Sequence, residues 1–313
     1  MVEEEHMTRR SVLIIACYAT IYVVWGSTYF FIRRSVSSLP WSWVLAIRWT
    51  IGGALLLGAS LARGRRPQLP SPREVAASIS LGVLLLLVGN GGITVAEKNL
   101  DSYVAALIAS STPIVVALFD GLVLGKRLTL SRLLGIALGF SGVALLLYNG
   151  HSVASSLSPA LLIGLLGVAG WGLATSLAHR VHVHGDITVN SGIQMIFVGM
   201  VTLLGSLLFG PPPARVFAVV SPSSVFGVLY LGIIGSLAFS AYTFLVANEP
   251  AERVVSYALV NPVIALLIGL GFGGESPTPL LPLGLPLILV GVAFMFYGEK
   301  AIRRLRCGPP GTK

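Results

Sequence analysis

Apolar runs long enough to cross a bilayer recur from one end of this chain to the other, and they leave few architectures open. Hydrocarbon offers no water to backbone N–H and C=O groups, so a spanning segment must satisfy them internally or close into a barrel. A helix crossing about 30 Å of hydrocarbon needs roughly 20 apolar residues. Ten such runs are read, at 12–32, 41–62, 74–95, 102–124, 130–149, 158–179, 187–209, 224–247, 253–273 and 280–298. Breakers such as Leu39-Pro40, Gly210 to Pro213 and Ser276 to Pro279 separate them. Only 11% of the residues are charged, against about 25% in soluble chains, so no soluble domain is left over. The first run is longer than a signal-peptide core and lacks a small-residue cleavage site before its end, so it is expected to stay as a helix.

The runs are duplicated. Shifted by 149 positions, Ala109 to Ala144 brings Pro113 onto Pro262, Gly125 onto Gly274, Thr129 onto Thr278 and Gly142-Val143-Ala144 onto Gly291-Val292-Ala293. An offset of 146 brings Trp25-Gly26 onto Trp171-Gly172 and Arg48 onto Gln194. Two repeats are therefore expected, 1–150 and 151–313, joined near His151. Five spans per repeat force the second to enter the membrane in the opposite sense. The predicted fold is an all-α membrane protein of ten transmembrane helices, in two inverted five-helix repeats around a central cavity.

Orientation follows from Lys and Arg. With both termini cytoplasmic, sixteen of the 21 basic residues fall inside, while Arg33, Arg34, Lys98 and Arg215 fall outside and Arg48 lies within a span. Lys126-Arg127 ends the fourth span inside; its counterpart Glu275-Ser276 ends the ninth outside, where a basic pair is not wanted. The net charge of +9 does not point to nucleic acid, because the basic residues occupy short loops rather than one basic and aromatic face. Cys17 and Cys307 give no disulfide framework.

Several side chains could carry chemistry. Tyr18, Tyr22, Trp25 and Tyr29 share one face of the first helix, a stripe that suits cavity lining and plain packing equally. Trp171 and Thr175 take the equivalent place in the sixth span. Asn90, amid Gly89, Gly91 and Gly92, is an amide that needs a partner or a wet cavity in lipid. The glycines themselves suit close helix packing. Pro113 and Pro262 lie mid-span, each kinking its helix and freeing a carbonyl, with Ser111-Thr112 and Asn261 just before them and Tyr257 a turn before Asn261. Interrupted helices paired across an inverted repeat point to a midplane site. Arg48 is too deep for easy snorkelling and faces protein or water, held by carbonyls or by substrate; Asp120 suits a cytoplasmic rim better than proton coupling.

Other patterns carry less. His179, His182 and His184 with Asp186 lack a completed metal set, so no metal or cofactor is expected. Gly150 to Ala154 imitates a hydrolase elbow without its strand-turn-helix setting, and Gly121 to Lys126 is one residue short of a P-loop. Gly135 and Gly139 form a GxxxG pair that serves dimerisation or, preferentially, packing within a monomer.

Trp25-Gly26, Arg48, the stretch from Thr112-Pro113 through Gly125 to Thr129, and its copy from Asn261-Pro262 to Gly274-Glu275 resemble the drug/metabolite transporter superfamily, and within it the ten-helix EamA-type exporters of bacterial inner membranes. Members usually show Gly-Glu at both copies; here the first reads Gly125-Lys126. The resemblance implies that spans 1, 3, 4, 6, 8 and 9 surround a cavity, that spans 5 and 10 buttress it, and that amino acids or similar metabolites are exported. The branch is similar to the aromatic and neutral amino-acid exporters.

The expected activity is secondary transport by alternating access, not catalysis. Trp25, Tyr29, Trp171, Tyr242 and Tyr257 would form apolar walls, and Asn90, Ser111, Thr112, Thr175 and Asn261 would supply polar contacts. The expected partners are a small-molecule substrate and the lipid bilayer. A broad drug or nucleotide-sugar carrier is the alternative, although phosphate would want several deep basic residues and only Arg48 is deep. A membrane enzyme or scaffold is the third, without a nucleophile-base pair to support it.

Overall fold

The computed structural model describes residues 2–62, 69–100, 102–125, 129–147, 159–272 and 279–307, and every regular element among them is helical. The first part holds α1 (Val2–Val36), α2 (Trp41–Ala62), α3 (Pro72–Gly82), a π-helical segment (Val83–Asn90), α4 (Gly91–Ala96), α5 (Ser102–Ser110), α6 (Thr112–Leu124) and α7 (Leu130–Leu147). The second holds α8 (Pro159–Leu177), α9 (Ile187–Phe209), α10 (Pro213–Ala218), α11 (Pro222–Asn248), α12 (Ala251–Val254), α13 (Tyr257–Phe272) and α14 (Leu281–Cys307). The third predicted span is thus one continuous rod in which α-helix gives way to a wider π turn before Asn90. Lys126-Arg127, Gly274-Glu275, the cluster Arg63 to Arg66 and the joint at His151, with the Gly150 to Ala154 pattern, lie outside the described residues.

Among the described residues, six stretches are long and apolar enough to cross a membrane: Arg10–Val36, Trp41–Ala62, Pro72–Ala96, Pro159–Leu177, Ile187–Phe209 and Pro222–Asn248. Shorter apolar helices, Ile108–Leu124, Leu130–Gly142, Tyr257–Ile268 and Leu281–Phe294, coincide with the fourth, fifth, ninth and tenth runs. Exposed Leu61, Leu122, Leu208, Phe209 and Phe272 face outward, as lipid-facing positions require.

Local signals set the helix ends. Ser71 and Glu74 close a reciprocal capping box on α3, with Pro72 in its first turn. Asp186 caps α9 by accepting from the Thr188 and Val189 N–H groups, and Ser221 caps α11 by accepting from Ser224. Gly125 ends α6 in the left-handed region, at φ 66°, where a side chain would be strained.

Lipid supplies no hydrophobic drive between helices, so their association rests on close contact of small residues. α2 packs along α9 and α7 along α14, each against the segment at its own repeat offset. α1 packs on α11 and α13, while α8 packs on the π segment, α4 and α6. A Cβ on Gly142 would sit 2.6 Å from the Gly284 carbonyl oxygen, and one on Gly291 would sit 2.6 Å from the Gly139 nitrogen. The glycines of the Gly135-Gly139-Gly142 stripe are therefore used within the chain. Where α8 crosses the π segment and α4, a Cβ on Gly92 would lie 2.9 Å from Gly167 Cα, and one on Gly167 would lie 2.8 Å from the Gly89 oxygen.

These contacts are to backbone, which cannot swing aside. Gly167→Ala is expected to destabilise the protein by about 1–3 kcal/mol, as overpacking does. Gly58→Ala, with no neighbour within 4 Å inside α2, should leave stability unchanged or raise it by up to about 1 kcal/mol through helix propensity. Thermal unfolding of the purified variants in detergent checks this, and equal midpoints for both would show that the α4–α8 contact has slack.

Candidate functional site

Helix breaks and deep polar side chains converge on one cavity. It holds ≈ 640 Å³ of empty space, its mouth included, and is lined from α1 (Trp25, Thr28, Tyr29, Ile32), α2 (Arg48, Trp49), the π segment and α4 (Gly89, Asn90, Ile93), α5 and α6 (Ala109, Thr112), α8 (Gly167, Val168, Trp171), α11 (Phe239) and α13 (Tyr257, Asn261). Trp25, Tyr29, Asn90, Thr112, Trp171, Tyr257 and Asn261 are thus brought together from the sequence set. Ser111 stands outside the lining, and Thr175 and Tyr242 line a second pocket. The expected set of lining helices needs one correction: α2 also contributes, through Arg48 and Trp49, because its packing on α11 and α9 carries this face inward.

The floor of the cavity is aromatic. Trp25 meets Trp171 edge to face at 5.4 Å between centroids, Tyr257 at 4.8 Å and Tyr242 at 5.0 Å. Trp171 lies 5.2 Å from Tyr242, whose hydroxyl shares a hydrogen bond with Thr175. The two tryptophans matched by the repeat offset therefore touch one another. Edge-to-face and tilted rings at these spacings attract beyond their buried area. Beyond this layer lies the second pocket, ≈ 1230 Å³ with its opening, lined by Tyr242, Thr175, Asn190, Gln194 and the 178–185 connection. Gln194, the positional counterpart of Arg48, lines it and donates to Asn190 Oδ1 at 3.1 Å.

Polar groups at the breaks serve the backbone first. Pro113 has no N–H for the Ala109 carbonyl, and the Thr112 hydroxyl donates to that carbonyl at 2.6 Å. Ser111 donates likewise to the Ile108 carbonyl at 2.6 Å. Both hydroxyls keep only acceptor capacity for a ligand. Asn261 fits with its amide nitrogen toward the carbonyls of Tyr257, 3.0 Å, and Tyr22, 3.2 Å, tying α13 to α1. Tyr22 in turn shares a 2.7 Å hydrogen bond with Ser256. Pro262 lies inside α13 rather than at a break.

Arg48 is 2% exposed, with its guanidinium carbon 4.1 Å from the Trp49 ring centroid and Nη1 donating to Asn90 Oδ1 at 3.0 Å. Asn90 is held in turn by Thr94, whose hydroxyl donates to its backbone carbonyl. Glu97, at the end of the same span, is a residue that sequence reasoning passed over. It is 3% exposed, and neither carboxylate oxygen has a hydrogen-bond partner among the described residues. Its position beside Lys98 reads as a solvated loop, and only the tertiary fold buries it. Asp120, buried on α6, lines neither pocket. His182 lies 3.8 Å from Glu74 and His184 accepts from the Asp186 N–H; no group of metal-ligating side chains forms among the described residues.

Thr112→Val should cost about 1 kcal/mol by stranding the Ala109 carbonyl. In a Pro113→Ala background, which returns an N–H to that carbonyl, the same change should cost less. A double-mutant cycle on thermal stability measures the coupling, and additive losses would separate the hydroxyl from the proline.

A sequence model of the EamA-like transporter family matches residues 11–148 and 158–297. The uncharacterized inner membrane transporter YedA of Escherichia coli is 34% identical over 281 residues, covering 89% of each chain. A probable terminal-alkyne amino-acid exporter of Streptantibioticus cattleyicolor is 25% identical over 296 residues, covering 93% of this chain and 95% of its own. A solved crystal structure with 22% identity superposes with a TM-score of 0.72 over 91% of this chain and 98% of its own, a likeness of fold. The apolar helices and these relatives make the chain a multi-pass protein of the inner membrane. With the family pattern matched along both parts of the sequence, the chain belongs to the EamA-like transporter family.

Proposed function

We propose that the chain is a secondary transporter that exports neutral and aromatic amino acids by alternating access, with the cavity at Trp25 and Trp171 as its substrate site. The observation that carries this reading is the aromatic layer between two pockets. Trp25, Trp171 and Tyr257 line one pocket and pack on Tyr242, which lines the other, so a rearrangement of these rings exchanges the side to which a bound solute is exposed. Aromatic faces accept an apolar side chain by area and an ammonium group through the ring quadrupole. The exporter named among the relatives acts on an amino acid, which supports the same substrate class here.

The proposed membrane arrangement has ten spans in two inverted repeats and both termini in the cytoplasm. The pairing of α2 with α9 and of α7 with α14 supports it, since an in-plane two-fold axis brings each such segment against its counterpart. In this orientation the Arg48 cavity lies toward the outside and the Gln194 pocket toward the cytoplasm. The monomer is the proposed unit.

Counterflow of labelled amino acids in proteoliposomes tests the function directly. Trp25→Ala and Trp171→Ala should weaken phenylalanine more than alanine, because the larger side chain loses more contact. Losing about 50 Å² at roughly 25 cal/mol per Å² weakens binding by about 1.3 kcal/mol, about ninefold. Equal losses for both substrates, normalised to folded protein, would sink the assignment of the walls. For the topology, a cysteine at exposed Ser223 should react with an impermeant reagent from outside the cell, and a tag at either terminus only from the cytoplasm. Labelling of that cysteine solely from the cytoplasmic side would overturn the ten-span arrangement.

A further inference from the structure

We infer that Arg48 anchors a ligand carboxylate, so that the central cavity takes monocarboxylates with an apolar or aromatic body. This rests on the cavity being the transport site and names the group by which that site holds its substrate.

The first ground is the donor inventory of the guanidinium. It carries five N–H donors in a rigid fork. One nitrogen, Nη1, is engaged by Asn90 at 3.0 Å. Nε is buried without a partner, and Nη2 makes no hydrogen bond with the described residues. The Nε–Nη2 edge carries two parallel N–H groups, the pair that matches the two oxygens of a carboxylate. That edge is the one left free. A buried cation that kept it permanently empty would forfeit the strongest hydrogen bonds available to it.

The second ground is the arrangement of charge. Among the described residues lining the cavity Arg48 is the sole charged side chain, and the rest are aromatic, apolar or neutral polar. Glu97 does not occupy the fork, since neither of its carboxylate oxygens makes a hydrogen bond with the described residues. One free cationic fork compensates one negative charge. A phosphate dianion would leave a charge uncompensated in the same aromatic surroundings, which favours the carboxylate. Beside the guanidinium, the rings of Trp25, Tyr29, Trp49 and Tyr257 fit an apolar body, while the glycine at 235, whose Cβ would lie 3.7 Å from Nη2, leaves room at the fork.

The test is equilibrium binding to the purified full-length protein in detergent, read by tryptophan fluorescence and confirmed by calorimetry. The probes are phenylacetate, uncharged phenylacetamide, phenethylammonium and phenyl phosphate. Wild type should bind phenylacetate at least tenfold more tightly than phenylacetamide or phenethylammonium, and more tightly than phenyl phosphate. Arg48→Gln should bring the phenylacetate-to-phenylacetamide ratio to about one. Asn90→Asp keeps the arginine and the side-chain shape but places a carboxylate on Nη1; it should reduce the ratio in the same direction, and serves where Arg48→Gln fails to fold. Equal binding of phenylacetate and phenylacetamide, a preference that survives in either folded variant, tighter binding of phenyl phosphate, or no binding of any probe would each overturn the inference. Its failure is separable from that of the transport reading. Equal counterflow of phenylalanine and phenethylammonium would retain transport and reject the anchor, whereas a carboxylate preference without amino-acid flux would retain the anchor and reject export.

Discussion

Backbone polar groups in hydrocarbon have no water to turn to, and the rest of this structure depends on how the chain meets that constraint. Unbroken helices meet it within themselves, so they form the frame. Breaks are tolerated only where side chains replace the missing bonds, and at the cavity the Thr112 hydroxyl does so for the Ala109 carbonyl, while Ser111 adds its hydroxyl to an Ile108 carbonyl that already accepts from the Ser111 N–H. The same groups that repair the backbone line or flank the pocket. At the Pro113 break, site and repair are one feature.

The second requirement is tight contact without hydrophobic drive. Glycines meet it by bringing backbone to backbone, at Gly92 and Gly167 beside the cavity and at Gly142 and Gly291 in the α7–α14 pair. Such contacts have no compliant side chain between them. The rings between the two pockets, by contrast, meet side chain to side chain. The frame and the aromatic layer are built from different residue types.

Much of this was legible in the sequence. The offset of 146 paired Trp25 with Trp171, and their rings lie 5.4 Å apart. Depth alone marked Arg48, and the cost of a buried amide marked Asn90; the two bind one another. What escaped depends on neighbours rather than on period. Glu97 stands next to Lys98 at a helix end, and nothing local distinguishes a buried carboxylate from a solvated one. Thr175 and Tyr242 carry the right chemistry but face the second pocket, because helical periodicity gives a face and not the helix opposite it. Trp49 and Phe239 read as ordinary packing residues until α2 and α11 are set against the cavity. The membrane arrangement of the repeats and the chemical role of the lining remain with the proposed function.

The π segment between Val83 and Asn90 holds a further consequence. A wider turn contains a residue more than the α-helix it replaces, so everything after it is rotated by roughly 100° from where an unbroken helix would point it. Asn90 ends that segment, and its direction toward Arg48 is set by this phase. The acceptor on the buried cation is thus specified by a residue count upstream as much as by the identity of position 90. In this span, length is part of the chemistry: the wide turn takes up one extra residue, so a first deletion among the four consecutive leucines relaxes it to α-helix, while a second, equally conservative in composition, has no wide turn left to absorb it and rotates the amide away from the guanidinium.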